Sequence, residues 1–381
     1  MSARVSFFPV GCGDMTLIRL EGGQHILIDC NIRQAADDPD DDTFDAISAL
    51  RDRLEARGRD AKGRLYLDVF CLSHPDRDHC AGLDRHFHLG PAGAWNPEED
   101  KIFIREIWSS PIIFRRRARK GQSLCDDAKA FNREARRRLA VNQANSYVVS
   151  DGNRLLILGE DENGKSAPHA AIVVRIDDTI VGAAGRNNSD FEALLLGPLP
   201  PSHDEAEEEV LAKNRSSVIL RFKLKGGWKQ DAVRFLTGGD AEVAIWERQS
   251  RRHTRDDALS YDLLLAPHHC SWHSLSYDSW SELGEDAEVS AEARAALSQV
   301  RDVTRAAIVS SSKPITDDDA DPPCIRAKRE YVDIIGWDGR FYCTEDTPNA
   351  VLEFDLTPSG LQRVRKAPAR ASVGTTPVLH G

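Results

Sequence analysis

The sequence predicts an α/β fold, an αββα sandwich in which two sheets pack face to face and helices cover their outer sides. Short apolar strand signals cluster toward both ends of the 381-residue chain, with helical patterns between them. Ligand-type side chains follow several of these strands, as expected where strand-end loops of two sheets meet at one edge. A doubly wound nucleotide-binding fold fits less well, because no Gly-x-Gly-x-x-Gly turn opens a helix.

The first 72 residues predict four strands and one amphipathic helix. We expect the helix to begin at Thr43 as its N-cap and to end at Gly58, with apolar residues at helical spacing between them. The predicted strands are residues 5–10, 15–20, 25–29 and 65–72.

Residues 84–150 are less regular, and we expect them to form an insertion between core elements. The basic segment at residues 115–138 has largely helical character, with a break at Gly121. The predicted strands in and after this region are residues 102–108, 154–158 and 171–176.

The second half returns to strong strand signals, with two helices among them. Ser290 is expected to cap the second helix. We expect residues 1–357 to form a single domain and residues 358–381, which lack periodicity, to form a flexible tail. The predicted strands are residues 217–224, 233–237, 263–266, 306–310, 341–344 and 351–356, and the predicted helices are residues 241–251 and 291–300.

Composition and charge indicate a soluble cytoplasmic protein without membrane contact. The chain is 41% hydrophobic and 29% charged, and no apolar run approaches the roughly 18–20 residues of a membrane span. None of the eight cysteines forms a Cys-x-x-Cys pair, which disfavours a thiolate zinc site. The net charge of −11 disfavours a protein that coats nucleic acid non-specifically.

One basic segment stands out within this acidic protein. Residues 115–138 contain ten Lys or Arg residues against three Asp or Glu residues. Such a segment can bind nucleic-acid phosphates, although a solvated helix face explains the same pattern equally well. The candidate substrate-binding residues are Arg115, Arg116, Arg117, Arg119 and Lys120.

The most informative motif is the run from Ser73 to His79, which places two histidines and two aspartates directly after an apolar strand. Imidazole nitrogens and carboxylate oxygens together suit Zn²⁺, Mn²⁺ or Fe²⁺, whereas Ca²⁺ prefers oxygen alone. A polar loop with solvated histidines would explain one His-x-Asp pair but accounts poorly for the whole run. The candidate ligands are His74, Asp76, Asp78 and His79.

Three other strand ends also carry ligand-type side chains. Asp29 ends the third predicted strand, Asp240 follows a Gly-Gly turn, and His268 and His269 follow an apolar strand and a proline. Each has a simpler explanation alone, since Asp240 could cap the next helix and the histidines could lie in a polar loop. Their recurrence at strand ends favours one shared metal centre.

Six short motifs occur in a fixed order over most of residues 5–275. They are Val-Gly-x-Gly-Asp at 10–14, Ile-Asp at 28–29, Ser-His-Pro-Asp-x-Asp-His-x-x-Gly at 73–82, Asn-x-x-Ser-Val-x-Leu at 214–220, Leu-Thr-Gly-Gly-Asp-Ala-Glu at 236–242 and Pro-His-His at 267–269. This set resembles the metallo-β-lactamase superfamily of di-metal hydrolases, and most of all the soluble hydrolase domain of the bacterial competence DNA-channel protein.

The resemblance implies two divalent metal ions, Zn or Mn. His74 and Asp76 would hold one ion, Asp78 and His79 would hold the other, and Asp240 would bridge them. His269, in preference to His268, would complete the second site, and His268 would contact the substrate oxyanion. Asp29 would orient a ligand histidine, and Asn214 and Ser217 would set loop geometry or touch substrate. The implied catalytic residues are Asp78 and His268.

Departures from the family pattern bear on this site. Cys270 replaces the usual glycine, an extra glycine lengthens the turn before Asp240, and residues 320–323 lack an expected histidine. His169 and His203 could supply the histidine that many members place before the bridging aspartate, but neither has a matching context. These departures imply that one ion has fewer protein ligands and binds weakly.

The implied function is di-metal-dependent hydrolysis by a phosphodiesterase or nuclease that uses a metal-bridging hydroxide. Two such ions lower the pKa of a shared water and stabilise both oxygens of a displacement. One alternative is hydrolysis of a small phosphoester, cyclic nucleotide or lactone, which the negative net charge favours. Another is a partner-dependent metal-binding subunit of a defence complex, which the departures permit.

Overall fold

The computed structural model describes residues 2–38, 40–114, 124–161, 164–199, 216–347 and 349–365. This part of the chain contains two large mixed sheets with helices, so the predicted α/β class is confirmed. In chain order the strands are β1 (Arg4–Phe7), β2 (Thr16–Arg19), β3 (His25–Ile28), β4 (Cys30–Asn31), β5 (Tyr66–Leu72), β6 (Phe87–His88), β7 (Ile102–Ser109), β8 (Arg154–Leu158), β9 (Val173–Val174), β10 (Thr179–Ile180), β11 (Gly182–Ala183), β12 (Arg186–Asn187), β13 (Phe191–Gly197), β14 (Ile219–Gly226), β15 (Lys229–Thr237), β16 (Leu263–Leu265), β17 (Ala307–Ser310), β18 (Phe341–Cys343), β19 (Leu352–Thr357) and β20 (Gly360–Arg363).

The helices lie mainly between the parallel strands. Within the described residues the α-helices are α1 (Ala46–Glu55), α2 (Arg77–Cys80), α3 (Leu83–His86), α4 (Asp126–Ala144), α5 (Val243–Arg252), α6 (Trp280–Leu283), α7 (Ala291–Leu297) and α8 (Ile325–Ile335).

Both large sheets follow the same plan. In the first, the antiparallel run β20-β19-β1-β2-β3 leads into the parallel strands β5, β7, β8 and β9. In the second, the antiparallel run β10-β13-β14-β15 leads into the parallel strands β16, β17 and β18. Parallel neighbours end at the same edge of a sheet, so the loops after them gather there.

Alternation along the strands divides the core into three clusters. In β5, Val69 and Cys71 belong to the cluster shared by both sheets, whereas Phe70 and Leu72 belong to the cluster that includes α1 and α4. A third cluster joins the second sheet to α5, α7 and α8. The period of two therefore buries both faces of the central strands, which explains their nearly continuous apolar sequence.

The region predicted to be an insertion is part of the core, so that prediction is wrong. Strand β7 lies between β5 and β8, with Val69 opposite Glu106, and all but one of its residues are buried. Helix α4 packs its apolar side against the same sheet. The strand predicted at residues 102–108 is present as β7, but its place between two core strands was not predicted.

The predicted start of the C-terminal tail also needs correction. Residues 360–363 form β20 and pair with β19, so the flexible tail does not begin at residue 358. A tight turn makes this hairpin, in which the Thr357 hydroxyl donates to the Gly360 carbonyl at 2.9 Å. Residues 366–381 of the predicted tail lie outside the described residues.

Helix starts were predicted with mixed success. Helix α1 is capped by Asp45, whose side chain accepts from the Ser48 amide at 3.0 Å, and Thr43 is not its cap. The prediction for Ser290 is confirmed, since its hydroxyl accepts from the Ala293 amide at 3.1 Å. Strand β13 and helix α8 were not predicted, although Asn188 and Asp190 precede β13 and Gly336, at a φ of 66°, ends α8.

None of the helices in the described ranges combines the length and apolar character that a bilayer span requires.

Candidate metal centre

The candidate ligands lie where parallel strands end at one edge. Asp29 follows β3, and the run from Ser73 follows β5 and enters α2. In the second sheet Asp240 follows β15, and the Pro267–Cys270 turn follows β16. Both sheets therefore deliver polar side chains to the same edge, as the sequence predicted.

Four of these side chains form a compact cluster, namely Asp78, His79, Asp240 and His269. Each offers one ligand atom, and these atoms all lie within 4.8 Å of one another. The His79 Nε2 atom lies 3.1 Å from Asp240 Oδ1, and His269 Nε2 lies 3.2 Å from Asp78 Oδ2. The two Nε2 atoms are 3.3 Å apart. Such a set of nitrogen and carboxylate donors suits one divalent cation.

A second group lies on the other side of Asp240. His74 Nε2 is 3.2 Å from Asp240 Oδ2, and His268 Nε2 is 3.7 Å from the same oxygen. Asp76 Oδ2 lies 3.9 Å from His74 Nε2. One oxygen of Asp240 thus faces His79 and the other faces His74, which is the arrangement that a bridging carboxylate requires.

Asp29 is the hydrogen-bonding centre of the first-sheet loop. It accepts from the Ser73 amide at 2.7 Å and from the Ser73 hydroxyl at 2.5 Å. Its Oδ2 atom also lies 2.9 Å from His79 Nδ1. This contact orients the ring so that Nε2 faces Asp240, which is how carboxylates commonly support histidine ligands.

Asp14 belongs to the site, although no role was predicted for it. It is buried, with Oδ1 at 3.4 Å from His269 Nδ1 and Oδ2 at 3.9 Å from His79 Nδ1. Its amide donates to the Asp78 carbonyl at 3.1 Å. The motif at residues 10–14 contained the signal, but only the fold shows that its aspartate supports histidines of both sheets.

The second-sheet histidines are positioned by an unusual backbone. His268, His269 and Cys270 have φ angles of 52°, 54° and 67°, in the left-handed region that non-glycine residues rarely adopt. The His268 amide donates to the Gly239 carbonyl at 3.0 Å, which connects the two ligand loops of this sheet. The glycine expected at position 270 would suit this conformation, whereas Cys270 adopts it at a cost.

Charges within the cluster are strongly coupled. Burial disfavours a charged His79, yet Asp240 and Asp29 raise its pKa well above the ordinary value. Burial is likewise overcome at His269, whose pKa is raised to about 10 by Asp240, Asp14 and Asp78. The histidines hold the pKa of Asp240 well below its usual range, against the effect of burial. Protons on the histidines therefore balance the carboxylates, and a cation could replace them.

Several buried ligand atoms have no hydrogen-bond partner among the described residues. They are His74 Nε2, Asp240 Oδ1, His268 Nδ1 and His269 Nδ1. Buried polar atoms are normally paired, so the unpaired His74 Nε2 atom, 3.2 Å from Asp240 Oδ2, and the unpaired Oδ1 atom of the same carboxylate fit a bound cation. The residues present thus suit divalent metal such as Zn²⁺ or Mn²⁺.

Other predicted site residues fall into three groups. Ser217 is buried beside the site, since the next amide, Val218, donates to the Ser73 carbonyl at 2.9 Å. His169 is not brought to the cluster; its ring contacts Tyr147 and Phe114 instead. The predicted residues that lie outside the described ranges are Asn214, His203, Arg115, Arg116, Arg117, Arg119 and Lys120.

Part of the basic segment serves the fold. Arg138 is buried and bonds to Glu134 at 2.6 Å and to the Ile104 carbonyl at 3.0 Å. Arg137 also bonds to Glu134, at 2.7 Å. These two arginines of α4 are therefore structural, and they do not form a solvated basic face.

The loop that lacks the expected histidine does lie beside the candidate site. The Cys324 amide donates to the Cys270 carbonyl at 3.0 Å, and Asp321 accepts from the Trp272 amide at 3.0 Å. Asp321 therefore lies beside the segment that follows the paired histidines, and it supports the Trp272 backbone there.

Residues 159–166 match the Gly-x-x-x-x-Gly-Lys-Ser spacing of phosphate-binding loops, a match that the sequence reasoning missed. They follow β8, as such a loop should. The next element is a kinked 3-10 helix of six residues, Ala167–Ile172, and the α-helix that receives phosphate in such loops does not follow. The match therefore does not identify a nucleotide site.

No known family model matches the sequence, and no curated protein matches it significantly.

Proposed function

We propose that this protein is a metal-dependent hydrolase with a metallo-β-lactamase-type αββα fold, acting as a phosphodiesterase or nuclease. One observation carries the proposal: Asp78, His79, Asp240 and His269, from distant parts of the sequence, converge with ligand atoms within 4.8 Å of one another. A structural salt-bridge network would not need unpaired nitrogens and oxygens at its centre.

The proposed ligands divide around Asp240. His74 and Asp76 would hold one cation on the Oδ2 side, while Asp78, His79 and His269 would hold another on the Oδ1 side. Bound divalent cations there would supply Lewis acidity and a water of lowered pKa.

The exposed groups indicate where a substrate would enter. The side chains of Asp76 and Asp78 are 36% and 38% exposed, whereas those of His79 and His269 are at most 1% exposed. His268 is 18% exposed, and burial lowers its pKa, so it favours the neutral form. A neutral imidazole at the mouth can donate one hydrogen bond to a substrate oxygen, the role implied for His268.

A basic pocket favours a phosphate-containing substrate. It has a volume of about 460 Å³ and is lined by Ile113, Phe114, Arg136 and Lys165. These residues follow β7 and β8 or lie on α4, and β7 and β8 run parallel to β5. The pocket therefore lies beyond strands that run in the same direction as the strand before His74, and it presents two cationic side chains and one aromatic ring.

A cleavage assay tests the proposal directly. Purified protein is assayed on end-labelled single-stranded and double-stranded DNA in Mn²⁺ and in Zn²⁺, beside a measurement of bound metal. The double variant Asp78→Ala with His79→Ala should lose cleavage by more than about a hundredfold. Losing a residue that only orients a metal ligand already lowers metal affinity or activity by roughly 10–100-fold, and these two residues are proposed ligands.

The matched control is His273→Ala, which removes an exposed histidine from the segment that follows the paired histidines. It should retain cleavage within about threefold of the parent, as surface substitutions usually do. Cleavage that survives in the double variant contradicts the proposal.

A small phosphoester, cyclic nucleotide or lactone is the second candidate substrate, and the net charge of −11 favours it. Salt separates the two candidates. Nucleic-acid binding through several cationic side chains should weaken steeply between about 50 and 200 mM salt. Hydrolysis of bis(p-nitrophenyl) phosphate as a small-ester probe should change little over the same range.

A further inference from the structure

The metal-binding segment carries a thiol that lies against a second thiol from another helix. Cys80, the last residue of α2, directly follows His79, and its Sγ atom is 3.5 Å from the Sγ atom of Cys125. Cys125 is the N-cap of α4. The two cysteines are 45 residues apart in sequence, so only the fold brings them together.

We propose that Cys80 and Cys125 are a peroxide-oxidised dithiol, whose disulfide links the ligand-bearing helix α2 to α4. The two sulfur atoms are in contact, and a disulfide requires them to approach to about 2.05 Å. Rotation of the two cysteine side chains and a small shift at the end of α2 would close this distance.

The two cysteines differ in a way that assigns their roles. Cys125 is partly exposed, whereas Cys80 is fully buried. Cys125 Sγ also accepts from the Ala128 amide at 3.4 Å, where the positive end of the α4 dipole favours a thiolate. The side-chain contact with Cys80 lowers the pKa of Cys125 to about 6, although partial burial acts in the opposite direction. Cys125 is therefore the thiol that meets the oxidant, and Cys80 is the resolving thiol.

The chemistry balances with hydrogen peroxide as the oxidant. The Cys125 thiolate attacks one peroxide oxygen, an S–O bond forms, the O–O bond breaks, and hydroxide leaves and takes up a proton as water. Cys80 then attacks the sulfenic sulfur, the S–S bond forms, and the S–O oxygen leaves as water with the Cys80 proton. Two thiols and one peroxide thus give one disulfide and two waters.

Hydrogen bonds already hold the start of α4 against the chain that follows Cys80. Asp127, two residues after Cys125, accepts from the amides of Gly82 and Asp84 at 3.1 and 2.9 Å. The start of α4 is therefore already fastened to the chain that follows Cys80. A disulfide would add a covalent restraint on the segment that carries Asp78 and His79.

Peptide mapping of the full chain tests this inference. The protein is treated with hydrogen peroxide, remaining thiols are alkylated, and a tryptic digest is analysed without reduction. The expected product joins the peptide of residues 78–85 to that of residues 121–129, two hydrogens lighter than their sum, and dithiothreitol removes it. Cys12, which is also partly exposed but has Pro322 as its hydrogen-bond partner, should be oxidised at least about tenfold more slowly.

Two variants assign the order of events. In Cys80→Ser, Cys125 should accumulate as a sulfenic acid that dimedone traps. In Cys125→Ser, Cys80 should remain a free thiol. The inference is overturned if oxidised Cys125 appears in the parent without the linked peptide, if Cys125 links to Cys30 instead, or if Cys12 reacts as fast as Cys125. Because the readout is a covalent product, it does not depend on hydrolase activity.

Discussion

The two halves of the molecule present similar ligands by different physical means. Both sheets run from an antiparallel section into parallel strands, and both place histidine and aspartate side chains after those strands. In the first half, Asp29 holds the ligand loop through hydrogen bonds to Ser73 and His79. In the second half, three consecutive residues with positive φ, from His268 to Cys270, present the rings.

Side-chain hydrogen bonds hold the ligand loop of the first half, although Asp29 itself has a φ of 57°, whereas a run of three left-handed residues shapes the ligand loop of the second half. A loop held by side-chain hydrogen bonds is disrupted when the acceptor is removed. A loop held by left-handed residues responds instead to changes in backbone freedom. Asp240 contacts histidines from both halves, so it is the residue on which the two arrangements depend together.

The largest effect is expected where the halves meet. Asp240→Ala removes the carboxylate that lies 3.2 Å from His74 and 3.1 Å from His79, so both proposed metal positions lose a ligand. Metal affinity should fall by more than about a hundredfold, measured by titration calorimetry with Zn²⁺. Asp84→Ala, an exposed aspartate on α3, is the control and should bind as the parent does. Equal affinity of Asp240→Ala and the parent would show that the halves do not share a ligand.

A buried histidine of the first half should make that half acid-sensitive. His25 is buried at the start of β3, with neither ring nitrogen hydrogen-bonded among the described residues, and burial and Arg57 lower its pKa to about 4. The unfolded chain takes up this proton below about pH 6.5, whereas the folded protein resists it until about pH 4. Stability should therefore fall as the pH drops through this window, by about 3 kcal/mol in total.

Urea unfolding of the parent and of His25→Leu at pH 7, 6, 5 and 4 measures this loss. The leucine variant lacks the titrating ring and should show a correspondingly smaller decrease between pH 6.5 and 4. If both proteins lose stability equally, His25 is not the source of acid sensitivity.

The side-chain dependence of the first half is tested at Asp29. Asp29→Ala removes the acceptor of Ser73 and His79, and metal affinity should fall by roughly 10–100-fold, the usual effect of losing a residue that orients a ligand. Asp29→Asn keeps an oxygen for the Ser73 amide and should give a smaller loss. An alanine variant that binds Zn²⁺ as tightly as the parent, by the same titration, would mean that Asp29 does not position His79.

The smallest effect is expected at Cys270, where the stability order of the glycine and alanine variants should be the reverse of the order in an ordinary strand. At φ of 67°, glycine is favoured over alanine, so Cys270→Gly should be more stable than Cys270→Ala by about 1 kcal/mol. Cys71, buried within β5, is the matched position in the first half. There the alanine variant should be more stable than the glycine variant by about 0.5–1 kcal/mol. Urea unfolding of the four variants measures these stabilities. If glycine and alanine fall in the same stability order at both positions, the torsional explanation is contradicted.

Sequence patterns predicted what depends on local periodicity. The apolar alternation of β5 predicted a buried strand, and the polar run from Ser73 was expected at its end. The recurrence of ligand-type residues at strand ends predicted the groups that the fold brings together. These predictions were possible because the strand pattern and the residues at the strand end both depend on residues that are adjacent in the sequence.

Other features depend on contacts between distant segments. The position of β7 in the sheet requires β5 and β8, and the burial of Arg138 requires the carbonyls of β7. The role of Asp14 follows from its distances to His79 and His269, which lie 65 and 255 residues further along the chain. No local pattern specifies such partners, so they appear only in the folded structure.

Anomalous X-ray diffraction from crystals soaked in Zn²⁺ or Mn²⁺ tests the central claim most directly. If the proposed metal centre forms, an anomalous peak lies among Asp78, His79, Asp240 and His269, a second, weaker peak lies between His74 and Asp76, and neither peak occurs in Asp240→Ala. Soaked crystals with no anomalous peak within coordination distance of Asp240 would contradict the claim.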